Sequence, residues 1–96
     1  MIKYIYRVYW GKHIRKVLDR LPKNVRGKFY SWVMLIELDG LEEAQKRPGF
    51  HDEPLKGQRQ GQRSVRLNQG YRVIYELSEI GTVKIIEVKE VTKHEY

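Results

Sequence analysis

The sequence predicts a small α+β domain, an antiparallel sheet carrying a helical hairpin on one face. Three observations predict it. Residues 3–10 alternate with period two. Two apolar stripes of helical period follow, parted by Pro22. The last third holds three β-rich runs separated by turn-forming residues. The implied order is β-α-α-β-β-β, with residues 1–96 as a single domain.

Each element has its own reason. In the first strand, alternation puts Tyr4, Tyr6, Val8 and Trp10 on one face and Lys3, Ile5, Arg7 and Tyr9 on the other. Trp10, Ile14, Val17, Leu18 and Leu21 then make one helical stripe, with Lys12, Arg15, Lys16 and Arg20 mainly off it. Pro22 breaks this helix and suits the first position of the next. Val25, Phe29, Trp32, Val33 and Ile36 form the second stripe, and Gly40 suits its C-terminal cap. A single proline between the two helices implies an antiparallel hairpin. Gly27 costs about 1 kcal/mol relative to alanine inside a helix, and close helix packing is its expected reason.

Residues 41–61 are the least periodic, with Pro48, Gly49, Pro54, Gly57 and Gly61, and are expected to be a long loop. Strands are expected over 62–67, 71–77 and 83–91, with turns at Asn68-Gln69-Gly70 and Ser78-Glu79-Ile80-Gly81. A three-residue first turn pairs Leu67 with Tyr71, Arg66 with Arg72 and Val65 with Val73. Val65, Leu67, Tyr71, Val73 and Tyr75 then share one face. Ser64, Arg66, Arg72 and Glu76 share the other, which no helix covers.

Composition narrows the function. Nineteen Lys and Arg against 12 Asp and Glu leave a net charge of +7, which calls for a polyanionic partner: nucleic acid first, an acidic protein second. There is no cysteine, so disulfides and thiolate metal sites are excluded, and a reducing cytosol is compatible. No apolar run reaches the roughly 18–20 residues of a membrane span, and the N-terminus lacks the pattern of a secretory signal. No Gly-rich phosphate loop or dinucleotide fingerprint occurs. His13, His51 and His94 do not have the spacing of metal ligands. His51-Asp52-Glu53 reads better as a solvated loop than as a metal site. No cofactor or metal is expected.

Two arginines directly opposite in a sheet repel, and a phosphate between them would remove that cost. The blander reading is that Arg66 and Arg72 are both simply hydrated. Glu53, just before Pro54-Leu55-Lys56-Gly57, and His94, near the C-terminus, are the acid–base candidates.

The run Glu53-Pro54-Leu55-Lys56, then Gly61-Gln62-Arg63-Ser64-Val65-Arg66-Leu67, then Tyr71-Arg72-Val73-Ile74-Tyr75, with terminal His94 and Tyr96, resembles the RelE/ParE toxin superfamily. It is most similar to the YoeB-like ribonuclease branch of bacterial type II toxin–antitoxin modules. The resemblance implies a RelE-like fold and a cytoplasmic, metal-independent endoribonuclease that cuts mRNA on the ribosome. It implies Glu53 as general base, Arg72 steadying the phosphate, Arg66 assisting, His94 as general acid and Tyr96 orienting or stacking the substrate. Lys56, Arg59 and Arg63 would bind RNA. A cognate acidic antitoxin is the implied protein partner.

These residue types suit the chemistry, because RNA supplies its own 2′-OH nucleophile and needs only a base, an acid and phosphate stabilisation. Glu95 separates His94 from Tyr96, so an extended strand would put those two on one face. The alternative on the same scaffold is a non-catalytic inhibitor of DNA gyrase, as in the ParE branch. A plain basic RNA-binding module is the third reading.

Overall fold

The computed structural model describes residues 3–68 and 70–93. Strand β1 (Ile5–Tyr9) leads into helices α1 (Lys12–Arg20) and α2 (Lys23–Asp39). A short helix α3 (Leu41–Gln45), a 3₁₀ turn (Pro48–Phe50), strand β2 (Glu53–Pro54) and a second 3₁₀ turn (Gly57–Arg59) follow. Strands β3 (Gln62–Arg66), β4 (Tyr71–Ile80) and β5 (Val83–Lys93) complete the chain. The five strands form one sheet in the order β1-β5-β4-β3-β2.

The expected α+β architecture is present. The helices cover one sheet face and bury Ile14, Leu18, Leu21, Val25, Phe29, Trp32 and Ile36 against Val8, Val65, Val73, Tyr75, Ile86, Val88 and Val91. Val17, Val33 and Trp10 pack at the margin of this core. The β3–β4 register is the one the turn implies: Val65 opposite Val73 and Arg66 opposite Arg72. Leu67 donates its N–H to the Tyr71 carbonyl at 2.9 Å, which closes the loop.

The structure departs from expectation in four places. First, the sheet is mixed, because β1 pairs parallel with β5. A parallel pair needs a long crossover, and the intervening chain supplies one, but no local signal shows where the first strand docks. Second, 41–61 is not one loop. Leu41 and Ala44 are buried, and their i, i+3 spacing seats α3 on the core. Third, β4 runs on to Ile80 and the turn shrinks to Gly81-Thr82, with Ile80 opposite Val83. Gly81, at φ +59°, supplies the left-handed residue a tight turn needs. Fourth, Gly27 is not a packing contact, since an added Cβ there would meet nothing within 4 Å beyond its chain neighbours and its own helix backbone.

Gly40 is the glycine the fold depends on. It joins α2 to α3 at φ +97°, and an added Cβ would sit 3.2 Å from the Tyr6 ring. Gly40→Ala is expected to lower unfolding free energy by about 1–2 kcal/mol, read from urea midpoints at unchanged m. Gly27→Ala, at an exposed helix-interior position, should instead stabilise by about 0.5–1 kcal/mol.

Candidate functional site

The sheet face turned away from the helices is arranged in rows set by strand register. Arg66 and Arg72 are directly opposite one another, and Thr92 lies opposite Arg72 on β5. The neighbouring row runs Glu53, Ser64, Ile74, Glu90 across β2 to β5. Paired residues share a face, so Glu53 lies on the same side as both arginines. Two strand spacings and two residues separate Glu53 from Arg72, roughly 12 Å between Cα atoms at standard sheet dimensions. Long side chains plus a ribose-phosphate can close that span. Neither Arg66 nor Arg72 forms an ion pair among the described residues. Their mutual repulsion is therefore available to be relieved by an anion.

This face is less open than the sequence suggests. Ser64 and Ile74 point away from the helices yet are only 2% and 5% exposed. The segment after β2 folds back across them. Leu55 donates its N–H to the Gln62 carbonyl at 2.9 Å. Arg59 donates from Nη1 to Glu90 Oε2 at 2.5 Å and to Gln62 Oε1 at 3.2 Å. Leu55, Arg59, Arg72, Ile74, Glu90 and Thr92 thus line an open cleft of about 220 Å³. The hydrogen bond to Glu90 raises the Arg59 pKa above its ordinary value, so the guanidinium stays charged.

Three of the expected RNA-binding cations have different placements. Lys56 is exposed at the entry to the second 3₁₀ turn. Arg59 lines the cleft but is paired with Glu90. Arg63 is not on the arginine face, because alternation places it with Val65 on the helix side. There its Nε donates to Asp52 Oδ1 at 2.7 Å. Glu53 is exposed on the edge strand, with His51 Nε2 3.6 Å from its Oε2. His94 and Tyr96 lie outside the described residues.

Sequence reasoning missed the group that holds the Glu53 strand. The Asp52 side chain is 1% exposed and accepts from both Arg63 and Tyr75, whose phenol O–H donates to Oδ2 at 2.5 Å. Gln45 Nε2 reaches the same phenol oxygen at 3.4 Å. The preceding His51 is the one described non-glycine residue at positive φ, +48°. Buried neighbours on either side, Phe50 and the Asp52 carboxylate, hold that left-handed turn in place. Glu90 was also missed. Its signal was the spacing of Val88 and Val91, both buried three residues apart, which period two forbids without a bulge. The register shift near Ile74/Tyr75 is that bulge.

Burial, followed by the hydrogen bond to Asp52, pushes the Tyr75 phenol well above its ordinary value of 10.0. The folded state then keeps a proton that the unfolded state gives up. Stability should be undiminished by this group below pH 10 and fall as pH rises beyond it. Denaturation midpoints followed from about pH 9 to pH 11 should show this decline, and Tyr75→Phe should make it shallower, leaving the part due to Tyr6, Lys84 and Lys89, whose pKa values are also raised.

No protein-family model and no curated protein sequence matches the chain. Solved structures do. A chain of the archaeal RelE–RelB complex from Pyrococcus horikoshii is 27% identical, with a TM-score of 0.66 over 92% of this chain and 93% of that one. A chain of the YoeB–YefM complex from Staphylococcus aureus is 19% identical, with a TM-score of 0.66 over 92% and 95%. The YoeB/ParE toxin from Agrobacterium tumefaciens is 21% identical, with a TM-score of 0.65 over 93% and 99%.

Proposed function

From its place in the RelE/ParE-like toxin superfamily, we propose that this chain is the toxin of a toxin–antitoxin pair and acts as an mRNA endonuclease on the ribosome. The observation that carries this reading is the Arg66–Arg72 couple, without an ion pair among the described residues, on the same sheet face as Glu53. In the reaction, the Glu53 carboxylate takes the proton of a ribose 2′-OH. The 2′-oxygen attacks the adjacent phosphorus, and the bond to the 5′-oxygen breaks. His94, as imidazolium, gives its proton to that oxygen. The products are a 2′,3′-cyclic phosphate and a 5′-hydroxyl. Arg72, assisted by Arg66, stabilises the charge gathering on the phosphoryl oxygens. Tyr96 stacks or orients the substrate, and Lys56 adds a phosphate contact at the cleft entrance.

The protein partner in this reading is an antitoxin. Two of the solved neighbours come from complexes, RelE–RelB and YoeB–YefM. Here α2 exposes Tyr30, Met34 and Leu38 at i, i+4, i+8, an apolar stripe left largely open by the described residues. Lys12, Arg15, Lys16, Lys23 and Arg26 surround the same hairpin. An acidic, amphipathic segment fits that combination. No described helix is long and apolar enough to cross a membrane. The ribosomal substrate places the work in the bacterial cytoplasm.

The test is purified ribosomes carrying a defined mRNA in the decoding site. Wild type should cut at mapped positions, and a 2′-O-methyl group at the scissile ribose should abolish the cut. Glu53→Ala should lose most of the activity. Intact mRNA together with inhibited DNA supercoiling by gyrase would replace this reading with the ParE-like one.

A further inference from the structure

The cleft beside Arg72 contains a group that a phosphate site does not need. Glu90 sits on β5 next to Thr92 and diagonal to Arg72, a placement that brings side chains within about 7–8 Å between α-carbons. A bare carboxylate there would repel a polyanion. Arg59 cancels its charge through Oε2, while Oε1 accepts no hydrogen bond from any described residue. The pair thus leaves an acceptor in the cleft without leaving a net negative charge. Around it, Leu55 and Ile74 provide apolar walls, Thr92 a hydroxyl and Arg59 a planar guanidinium. The cleft, of about 220 Å³, has room for one flat ring system.

We infer that this cleft reads one nucleobase of the RNA, through Glu90 accepting from an exocyclic amino group. The inference rests on the RNA-cutting reading for its ligand class. Carboxylates accept from base amino groups, and unpaired bases in RNA are read on their exposed edges and stacked on arginine planes. Adenine, cytosine and guanine each carry an amino group. Uracil carries two carbonyl oxygens flanking one N–H, and those oxygens face a carboxylate unfavourably. The cleft therefore discriminates against uracil, while Arg72 holds the attached phosphate.

The experiment titrates the full chain with 3′-AMP, 3′-CMP, 3′-GMP and 3′-UMP, following the methyl resonances of Leu55, Ile74 and Thr92. The three amino-bearing nucleotides should bind about 5-fold more tightly than 3′-UMP, the scale of one hydrogen bond. Glu90→Gln presents both a donor and an acceptor, so it should bring all four to about equal affinity. Arg59→Gln should weaken all four, since the carboxylate is then unneutralised. Equal affinities in the wild type overturn the inference. So does preference surviving Glu90→Gln, or shifts confined to methyls outside the cleft. Mononucleotides carry no bond to be cut, so this result is independent of cleavage. Discrimination without ribosomal cleavage would sink the nuclease reading alone, and cleavage without discrimination would sink the base-reading site alone.

Discussion

Replacing Arg72 by alanine should slow cleavage of ribosome-bound mRNA by about 10²–10³-fold, the usual cost of removing a preorganised donor to developing charge. The placement argues for a large effect. Arg72 sits on β4, between Arg66 on one side and Thr92 on the other, so its backbone position is fixed by two neighbouring strands. Such a donor needs no reorganisation when charge appears on the phosphate. The fold should not suffer. Arg72 makes no ion pair among the described residues, and its removal relieves a like-charge contact with Arg66. Melting temperature should stay level or rise slightly while activity collapses. Arg72→Lys keeps the charge but loses the planar fork, so it should recover only part of the rate. Single-turnover rates on saturating ribosomes, with melting curves alongside, make the measurement. A rate for Arg72→Ala within about threefold of wild type would remove Arg72 from the reaction.

What the sequence made legible was what short-range physics dictates. Alternation and helical stripes located β1, α1, α2 and the β3–β4 hairpin, because burying one face forces those periods. The turn length alone set Arg66 against Arg72, and the site reading grew from that pair. The illegible parts depend on distant residues. Arg63 looked like one more cation in a basic run. Its role as the partner of Asp52 needs the fold to bring residues eleven positions apart across β2 and β3. The Arg59–Glu90 pair spans 31 positions and joins a glycine-flanked arc to the middle of the sheet. Charge composition cannot tell a cation facing solvent from one already neutralised. The parallel docking of β1 is of the same kind, since nothing in residues 5–9 names β5 as partner.

The second large effect concerns Asp52. Strand β2 is two residues long, and two residue pairs tie it to β3. So short an edge strand has little hold of its own. Its position rests on the side chain immediately before it, which is buried and accepts from Arg63 and Tyr75. Asp52→Ala strands both donors. Breaking a buried ion pair costs about 3–5 kcal/mol, but Arg63 keeps 32% of its side chain in water and can be partly rehydrated, so about 2–4 kcal/mol is expected. Asp52→Asn preserves the shape and an acceptor, loses the charge, and should cost about 1–2 kcal/mol. Because β2 carries Glu53, both variants should also lower cleavage at temperatures where the protein remains folded, and Asn should lower it less. Arg63→Ala combined with Asp52→Ala should be less destabilising than the sum of the singles, since the second change removes the charge that the first left unpaired. Additive losses would mean that Asp52 acts alone. Unchanged cleavage by a folded Asp52→Ala would mean that Glu53 keeps its place without the tether.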